Sequence, residues 1–393
     1  MRCAIVTETY PPEINGVALT VQSLEKSLRG RGHSVDVIRP RQRSDQVALD
    51  HETLVPGMPL PRYPGLRIGL PAIYRLTQQW KRQRPDAIYV ATEGPLGWAA
   101  LCVARRLGIA TASGFHTRFD TYMRDYGVPF LQGTALRWMR HFHNLADATL
   151  VPTEELRDFL DSNGFHNVLR LARAVDTDLF HPGRRDSALR ADWGLGENDL
   201  AVIHLGRIAA EKNLDLAIRA YRDLQTHSPN ARFVWVGDGP ERARIERDNP
   251  DFVFCGIQRG EALGRHFASA DLFLFPSKSE TYGNVTLEAL ASGVPTIAFD
   301  YGAARERLRD GETGAAIAET ADREAEALAF IEATRRIGCD PALRRLMAMA
   351  ARDSVSMLKP QHVAVEFDRI LTTLKHARDR HERYIPTAQT ARK

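Results

Sequence analysis

The sequence has few cysteines and no long apolar run. Only four cysteines occur in 393 residues, widely scattered and without a Cys-x-x-Cys spacing, which argues against a disulfide framework or a zinc site and favours buried thiols. No apolar run approaches the roughly eighteen residues of a membrane-spanning helix, and the N-terminus turns polar too early for a signal peptide. We therefore expect a cytoplasmic protein.

Charge and composition indicate a globular protein of two domains. The net charge is only +4 and the basic residues are spread along the chain, so nucleic acid is not an expected partner. Apolar residues make up 44% of the chain and charged residues 26%, which is typical of a sequence that folds around a core. At 393 residues the chain exceeds what one core usually holds, and two domains are expected.

Short apolar runs alternate with amphipathic stretches in two successive series. The first series predicts strands at 3–7, 34–39, 86–91, 109–114 and 148–152. The second predicts strands at 200–205, 231–236, 251–255, 271–275 and 295–299. Strands that alternate with helices form mostly parallel sheets covered on both faces. The fold class is therefore α/β, with two doubly wound halves.

A dehydrogenase with a dinucleotide-binding fold is the natural rival, but its glycine fingerprint is missing. The turn after the first predicted strand, residues 8–17, contains one glycine where Gly-x-Gly-x-x-Gly is expected. In the second half Gly237 and Gly239 are followed by Arg242 at the position of the third glycine. A nicotinamide cofactor is therefore not expected.

Glu280 and Glu288 stand eight residues apart around the start of a predicted helix. The strand at 271–275 ends just before Glu280, and Gly283-Asn284 opens the helix. A helix N-terminus suits a phosphate, and carboxylates accept hydrogen bonds from hydroxyls, so the pattern fits a sugar nucleotide. The alternative is a helix-capping acid followed by a solvated helix residue.

The segment 280–295 resembles the Glu-x7-Glu signature of retaining glycosyltransferase family 4, and the resemblance runs from the N-terminal loop to about residue 374. It implies the GT-B fold, in which two doubly wound, Rossmann-like domains face each other across a cleft. It also implies a nucleoside diphosphate sugar as donor substrate and no cofactor.

Domain boundaries follow from the resemblance and from local composition. A polar, turn-rich linker at 180–187 would separate an N-terminal acceptor-side domain, 1–180, from a nucleotide-sugar-binding domain, 188–358. In the GT-B fold the helix at 360–377 crosses back onto the N-terminal domain. Residues 378–393 are basic and polar with no apolar period, which predicts a disordered tail.

The resemblance also assigns roles to individual residues. Catalysis is expected to depend on His116, Glu280, Arg207 and Lys212. Donor binding is expected to involve the first-half loop of Asn15 and Gly16 and the second-half residues Gly237, Gly239, Cys255, Gly256, Tyr282, Gly283, Asn284, Val285 and Glu288. Two simpler interpretations stay open: the cations could be ordinary surface residues, and a lone histidine is more often structural than catalytic.

A divalent metal is not expected to take part in the chemistry. The Asp-x-Asp sequence at Asp176 and Asp178 lies in the interdomain segment and matches a family motif there, not a metal clamp. The same motif usually contains a glycine where this chain has Ala174, so a strained backbone with positive φ is expected at that position.

Acceptor recognition is less well defined by the sequence. The segment 62–71 is a loop with apolar residues and two arginines. A helical stripe is flanked by Arg137, Arg140 and His141, and consists of Leu131, Ala135, Trp138, Phe142 and Leu145. The stripe is either core packing or a surface that docks on anionic lipid. We expect a lipid or glycan acceptor, with a lipid favoured, and peripheral contact with the inner face of the plasma membrane.

Taken together, the residues and the resemblance predict a retaining glycosyltransferase. It would move a hexose of mannose or glucose type from a nucleoside diphosphate sugar to a lipid or saccharide hydroxyl. No carboxylate in the first half stands out as a nucleophile, which favours front-face transfer over double displacement. A nucleotide-sugar epimerase on the same fold, or a non-catalytic protein that binds a sugar nucleotide or lipid, are the alternatives.

Overall fold

The computed structural model describes residues 1–13, 15–43, 45–59, 67–116, 132–280 and 282–383. Packing contacts divide the chain into two compact units. The first unit comprises Met1–Arg173 together with Pro360–Lys393, and the second comprises Ala174–Lys359.

The first unit is built on a parallel sheet of seven strands with the order β3-β2-β1-β6-β7-β8-β9. These strands are β1 (Arg2–Val6), β2 (Ser34–Pro40), β3 (Glu52–Val55), β6 (Ala87–Val90), β7 (Ala110–Gly114), β8 (Ala148–Val151) and β9 (Val168–Arg170). A separate antiparallel hairpin pairs β4 (Gly57–Pro59) with β5 (Arg67–Gly69).

Helices of the first unit connect the parallel strands. They are α1 (Gly16–Gly30), α2 (Ile73–Arg82), α3 (Pro95–Arg106), α4 (Gln132–His143) and α5 (Glu154–Ser162). The first of them shows the sequence logic: Asn15 caps its N-terminus, and Val21, Leu24 and Leu28 are buried at helical spacing. The strands carry near-continuous apolar runs because helices bury the sheet.

The second unit repeats this plan with a parallel sheet of six strands in the order β12-β11-β10-β13-β14-β15. Its strands are β10 (Ala201–Leu205), β11 (Arg232–Val236), β12 (Val253–Gly256), β13 (Leu272–Phe275), β14 (Thr296–Phe299) and β15 (Gly314–Ile317). Its helices are α6 (Ser187–Asp192), α7 (Leu214–His227), α8 (Arg242–Asp248), α9 (Gly260–Ser269), α10 (Asn284–Ala291), α11 (Gly302–Arg307), α12 (Arg323–Gly338) and α13 (Pro341–Val355).

Each of the ten predicted strands is present, with ends within two residues of the prediction. The strands that the sequence did not indicate include β3, β9 and β15, which lie at sheet edges. Edge strands are covered on fewer sides, so their sequences are short, polar or rich in small residues and carry a weak apolar signal. The cysteines also differ from expectation, since Cys3 is buried whereas Cys339 is exposed.

The last helix, α14 (Pro360–Arg383), packs within the first unit. The Lys375 ammonium lies 2.8 Å from the Asp86 carboxylate, and Arg378 pairs with Asp147. The helix therefore continues past residue 378, where the sequence predicts that a disordered tail begins. The ion pairs explain the difference, because they need no apolar periodicity; residues 384–393 lie outside the described residues.

The predicted linker at 180–187 is part of the second unit. The chain enters that unit at Ala174, and the Val175 N–H donates to the Leu358 carbonyl at 2.8 Å. Arg352 Nη1 donates to the Ala291 carbonyl at 2.7 Å and to the Phe180 carbonyl at 3.2 Å. A turn-rich composition indicates a connecting segment, but it does not show to which unit the segment is hydrogen-bonded.

One histidine is buried in the sheet of the second unit. His204 on β10 is 1% exposed, and its ring lies 4.8 Å from that of Trp235, centroid to centroid. Its Nδ1–H donates to the Leu274 carbonyl at 3.2 Å. Burial lowers the pKa of His204 to about 4.

We expect acid to destabilise the second unit through His204. The pKa is about 4 in the folded protein and 6.5 in an ordinary histidine, so the unfolded chain takes up the proton first as pH falls. Stability is complete above about pH 6.5 and declines toward about pH 4, by roughly 2 kcal/mol at about pH 5. Thermal melts near neutral pH and near pH 5 should show a smaller decrease in melting temperature for His204→Gln than for the wild type. An equal decrease in both proteins would contradict the assignment.

Candidate functional site

Four adjacent strands of the second sheet, β12, β11, β10 and β13, end at the same edge. The loops after β10, β11 and β13, together with the last residues of β12, contain every second-half residue that the sequence predicts for catalysis or donor binding, except those on α10. Open parallel sheets bind ligands at the carboxyl ends of their strands, which is the edge where these loops lie.

Gly237 and Gly239 let two of these loops approach where no side chain fits. A Cβ atom at Gly237 would lie 1.9 Å from the Gly206 carbonyl oxygen, and one at Gly239 would lie 2.2 Å from the Ile208 carbonyl oxygen. Any larger residue would push the loops apart. The two glycines therefore position the loop that carries Arg207.

Glu280 and Lys212 form an ion pair. Lys212 lies in a short 3-10 turn after β10, and Glu280 lies in the loop between β13 and α10. Lys212 Nζ also donates to Ser279 Oγ at 3.2 Å, and Ser277 Oγ donates to Glu280 Oε1 at 3.3 Å. The structure thus joins two of the residues that the sequence predicts for catalysis.

Arg207 makes only a loose contact with the protein. Its side chain is 57% exposed, and Nη1 lies 3.3 Å from Glu211 Oε1. Exposed ion pairs of this kind contribute little to stability. The guanidinium can therefore exchange Glu211 for another anion at small cost.

The N-terminus of α10 faces this edge of the sheet. Gly283 precedes the helix with φ 85° and ψ 62°, a left-handed conformation that favours glycine. As first residues of the helix, Asn284 and Val285 have N–H groups that the helix does not pair internally. The Tyr282 side chain before them is buried, at 6% exposure.

Glu288 lies about one turn into α10 and has no compensating charge. Burial raises the pKa of its carboxyl to about 7, and burial alone accounts for the shift. In the part of the chain that the structure describes, no side chain forms an ion pair or hydrogen bond with it. A ligand hydroxyl would supply the donor that the protein does not.

The last residues of β12 form another part of the edge. Gly256 has φ 65°, and its carbonyl accepts the Gly237 N–H at 2.8 Å. The Cys255 thiol is partly buried, which raises its pKa. It therefore stays protonated and acts as an apolar surface, not as a nucleophile.

His116 follows β7 in the first unit and is 6% exposed. Its Nε2 lies 2.8 Å from the Tyr89 hydroxyl oxygen, and its Nδ1 accepts a hydrogen bond from the Arg173 guanidinium. Because arginine only donates, Nε2 carries the ring hydrogen. Burial, together with the charge of Arg173, holds the pKa of His116 well below its usual value, so the ring is neutral. Sequence analysis did not indicate either Tyr89 or Arg173.

Asn15 and Gly16 begin α1 at the end of the first loop. The Asn15 side chain accepts the Ala18 N–H at 2.8 Å and donates to Thr9 Oγ1 at 2.7 Å. Asn15 is thus an N-cap, and its side chain is engaged within the loop.

Two carboxyls at the carboxyl edge of the first sheet were not noticed in the sequence. Glu8 follows β1 and accepts the N–H groups of Gly69 and of Leu96, the latter at 3.0 Å; burial raises its pKa to about 7. Glu93 follows β6, and its Oε1 lies 3.4 Å from His143 Nε2. Their position after strands of a parallel sheet was the signal that could have identified them.

Aromatic and basic side chains share one surface of the first unit. The rings of Trp98 and Trp138 stack with centroids 5.0 Å apart, and the His141 ring lies 5.3 Å from that of Trp98. Trp138 is 48% exposed, and Arg137 and Arg140 beside it on α4 are exposed. We call these five residues the aromatic–basic face. Phe142 of the predicted stripe is buried, so core packing accounts for part of the stripe. Trp138, by contrast, lies outside the core.

Other predicted positions are less informative. Leu131 and residues 62–66 lie outside the described residues. Asp176 caps its own turn by accepting the N–H groups of Asp178 at 3.1 Å and Leu179 at 2.9 Å. Within the described ranges, Ala174 is not among the residues with positive φ, so the expected strain is absent.

Two features are absent from the described parts of the chain. No group of three or more His, Cys, Asp or Glu side chains is arranged to hold a metal ion. No helix there is long and apolar enough to cross a membrane.

Comparison with known proteins identifies the family. Residues 14–179 match the model of Glycosyltransferase Family 4, and residues 199–336 match that of Glycosyl transferases group 1. The GDP-mannose-dependent alpha-mannosyltransferase of Mycobacterium tuberculosis is 35% identical over 80% of this chain and 83% of that protein. The alpha-monoglucosyldiacylglycerol synthase of Streptococcus pneumoniae is 26% identical over 76% of this chain and 71% of that protein.

Solved structures agree on the fold. Sucrose-phosphate synthase from Thermosynechococcus elongatus superimposes with a TM-score of 0.75 at 20% identity, over 96% of this chain and 99% of that one. HepE of Anabaena, in complex with UDP, gives a TM-score of 0.73 at 18% identity, over 95% and 100%.

The two curated relatives named here are a mannosyltransferase and a glucosyldiacylglycerol synthase, which favours sugar transfer over epimerisation or binding alone. The chain therefore belongs to glycosyltransferase family 4 and is a retaining glycosyltransferase with the GT-B fold, which moves a hexose from a nucleoside diphosphate sugar to a hydroxyl of a lipid or saccharide.

Proposed function

We propose that the protein transfers mannose from GDP-mannose to the hydroxyl of a membrane lipid. The observation that carries the donor assignment is the 35% identity, over most of both chains, to a GDP-mannose-dependent alpha-mannosyltransferase. The lipid acceptor is supported by the likeness to a monoglucosyldiacylglycerol synthase and by the aromatic–basic face of the first unit.

The donor is assigned to the carboxyl edge of the second sheet. We assign Glu288 to the ribose hydroxyls, the N–H groups of residues 283–285 to the distal phosphate, and Glu280 to hydroxyls of the sugar. The base and ribose side of the pocket is assigned to Gly237, Gly239, Cys255 and Gly256, with Tyr282 supporting the helix start. Two observations support these assignments: in the part of the chain that the structure describes, no side chain pairs with Glu288, and the helix does not pair its own first N–H groups.

Arg207 and Lys212 are assigned to the departing diphosphate. Lys212 pairs with Glu280, and a diphosphate carries more negative charge than one carboxylate. Donor binding would therefore draw Lys212 toward the phosphate and release the Glu280 carboxylate to accept sugar hydroxyls. Both cations would then offset the charge that develops as the glycosidic bond breaks. In front-face transfer the leaving phosphate oxygen takes the proton of the acceptor hydroxyl.

His116, Asn15 and Gly16 of the first unit are proposed to act on the donor sugar and phosphate. His116 can do so only by exchanging a partner. Its neutral ring donates through Nε2 to Tyr89, and a sugar hydroxyl oxygen would replace the tyrosine oxygen as acceptor. The Arg173 contact to Nδ1 would keep the ring in the tautomer that donates.

We expect donor affinity to depend on pH through Glu288. Its pKa of about 7 falls when ribose hydroxyls donate to the carboxylate, so GDP-mannose should bind more tightly as pH rises through about 7. Glu288→Gln should weaken GDP-mannose about tenfold to a hundredfold above that pH, equivalent to roughly 1.5–3 kcal/mol, and should abolish the pH dependence. Calorimetric titrations across this range measure both effects.

GDP-mannose suits this test because its diphosphate keeps the same charge throughout the range. Glu280→Gln is the matched control, since it removes a carboxylate from the same site but should not weaken GDP binding, because it leaves Lys212 available to the diphosphate. Equal GDP affinity in wild type and Glu288→Gln would refute the ribose assignment.

We expect sugar transfer to proceed without a divalent metal. If Arg207 and Lys212 neutralise the leaving diphosphate, activity should survive chelation, and Arg207→Ala should lose about 2–4 kcal/mol of transition-state stabilisation. Arg305→Ala offers a control, because Arg305 is also an exposed arginine of the second unit, paired with Asp300. Loss of activity on addition of a chelator, with recovery on addition of Mg²⁺ or Mn²⁺, would contradict the proposal.

We further propose that the aromatic–basic face brings the first unit to a membrane. Stacked indoles suit the interface between lipid headgroups and acyl chains, and Arg137 and Arg140 complement anionic headgroups. An anionic lipid surface is therefore the occupant that we assign to this face.

Vesicle co-sedimentation tests the membrane assignment. Each basic residue near an anionic surface contributes about 1 kcal/mol, so Arg137→Glu with Arg140→Glu should reduce binding about tenfold or more. Binding should also weaken as salt rises, because exposed charges are screened beyond about 8 Å at physiological ionic strength. Arg309→Glu with Arg345→Glu, two exposed arginines of the second unit, makes the same charge change outside the face and should bind as wild type. Failure to bind anionic vesicles at low salt, with transfer to a soluble saccharide, would move the acceptor from lipid to glycan.

A further inference from the structure

The hydroxyl of Tyr301 bridges the two ends of the turn that carries Glu280. The Glu280 N–H donates to Tyr301 Oη at 3.1 Å, and the Tyr301 hydroxyl donates to the Ser277 carbonyl at 2.8 Å. Residues 276–280 lie outside strands and helices, so their backbone groups have no ladder to pair with. A single side-chain oxygen thus satisfies one donor and one acceptor of this turn.

Tyr301 is itself held firmly. It follows β14 directly before α11, and its ring packs against the apolar core of the second unit. Burial, and next the charge of Glu280, raises the pKa of its hydroxyl above the usual range, so the group stays protonated and can donate. The turn is therefore attached to the short segment that joins β14 to α11, as well as to Lys212 in the loop after β10.

The residues after Tyr301 hold the other side of the same segment. The Ala303 N–H donates to the Tyr282 carbonyl at 2.7 Å. Gly302 has φ 56°, and a Cβ atom there would lie 2.6 Å from the same carbonyl oxygen. Residues 301–303 thus contact the chain at Glu280 and at Tyr282.

A second anchor reaches the turn from α12. Lys278 pairs with the Glu326 carboxylate, and its Nζ lies 4.1 Å from the centre of the Phe299 ring. This anchor holds the backbone at Lys278, two residues before Glu280, and does not touch the Glu280 peptide. Tyr301 is the side chain that bonds the Glu280 backbone in the part of the chain that the structure describes.

We propose that Tyr301 is a positioning residue for sugar transfer, which directs the Glu280 carboxylate toward the donor sugar without touching the donor. The proposal rests on the assignment of Glu280 to the sugar hydroxyls. Loss of the hydroxyl would leave the Ser277 carbonyl and the Glu280 N–H unpaired and would free the turn to shift. A shift of about 1 Å at a group that holds the substrate is enough to cost a large part of its contribution.

The test compares Tyr301→Phe with a matched tyrosine. Tyr221→Phe is the control, because the Tyr221 hydroxyl also donates to a backbone carbonyl of the second unit, that of Ala231 at 2.8 Å, and both changes keep the ring. GDP and GDP-mannose are titrated against wild type, Tyr301→Phe, Tyr221→Phe, Glu280→Gln and the double variant of Tyr301 and Glu280. UDP and UDP-glucose are titrated in parallel, so that the comparison can be made with whichever sugar nucleotide the protein binds.

Tyr301→Phe should weaken the sugar nucleotide about tenfold while the affinity for the nucleoside diphosphate alone changes less than about twofold. Tyr221→Phe should change neither affinity. Adding Tyr301→Phe to Glu280→Gln should cause no further loss, because the hydroxyl acts through the carboxylate and the two effects are then not additive. The slow hydrolysis of the sugar nucleotide without acceptor should decrease in the same variants, Tyr301→Phe and Glu280→Gln, and should not change in Tyr221→Phe.

Other outcomes separate the inference from the proposed function. Wild-type affinity of Tyr301→Phe for the sugar nucleotide, with a loss in Glu280→Gln, would overturn the role of Tyr301 and keep that of Glu280. Wild-type behaviour of Glu280→Gln would instead refute the sugar-binding assignment itself. Equal weakening of both ligands, or a melting temperature below that of Tyr221→Phe, would show that the hydroxyl supports the fold in general and would also overturn the inference.

Discussion

The ion pair between Lys212 and Glu280 is the interaction on which the candidate donor site depends. It joins two loops whose residues are 68 positions apart in the sequence, one after β10 and one after β13. Both side chains are mostly covered, at 17% and 27% exposure, so either charge alone would be costly. The pair therefore holds the two loops together. In the proposed function the same two charges serve the sugar nucleotide, Lys212 for its phosphates and Glu280 for its hydroxyls.

Hydrogen-bond partners, more than pKa shifts, distinguish two buried carboxyls, Glu8 and Glu288. Burial raises the pKa of both Glu8 and Glu288 to about 7. Glu8 accepts two backbone N–H groups, from Gly69 and Leu96, and thereby closes the N-terminus of α3. Glu288 has no such donor in the described residues. A carboxyl that the fold leaves without donors is the one that gains most from a ligand hydroxyl.

The motif residues of the first unit serve its own packing. His116 is neutral and engaged by Tyr89 and Arg173, and Asn15 caps α1. Two glycines serve packing in the second unit as well, since Gly237 and Gly239 allow a close approach of two backbone segments that any side chain would prevent. Family motifs in this chain thus combine fold and function, because the same close contacts that shape a loop also decide where its polar groups point.

The sequence by itself determined the two series of strands and the edge of the sheet at which the candidate donor loops lie. Apolar runs report local burial, and parallel strands always bring their carboxyl ends to one edge, so motif order was enough to place Arg207 and Glu280 at that edge. Only the tertiary structure decided the pairing of Lys212 with Glu280, the partners of His116, the exposure of Trp138 and the entry of the chain into the second unit at Ala174. These features depend on contacts between residues far apart in the chain, and no local pattern of apolar and polar residues records which distant side chains meet.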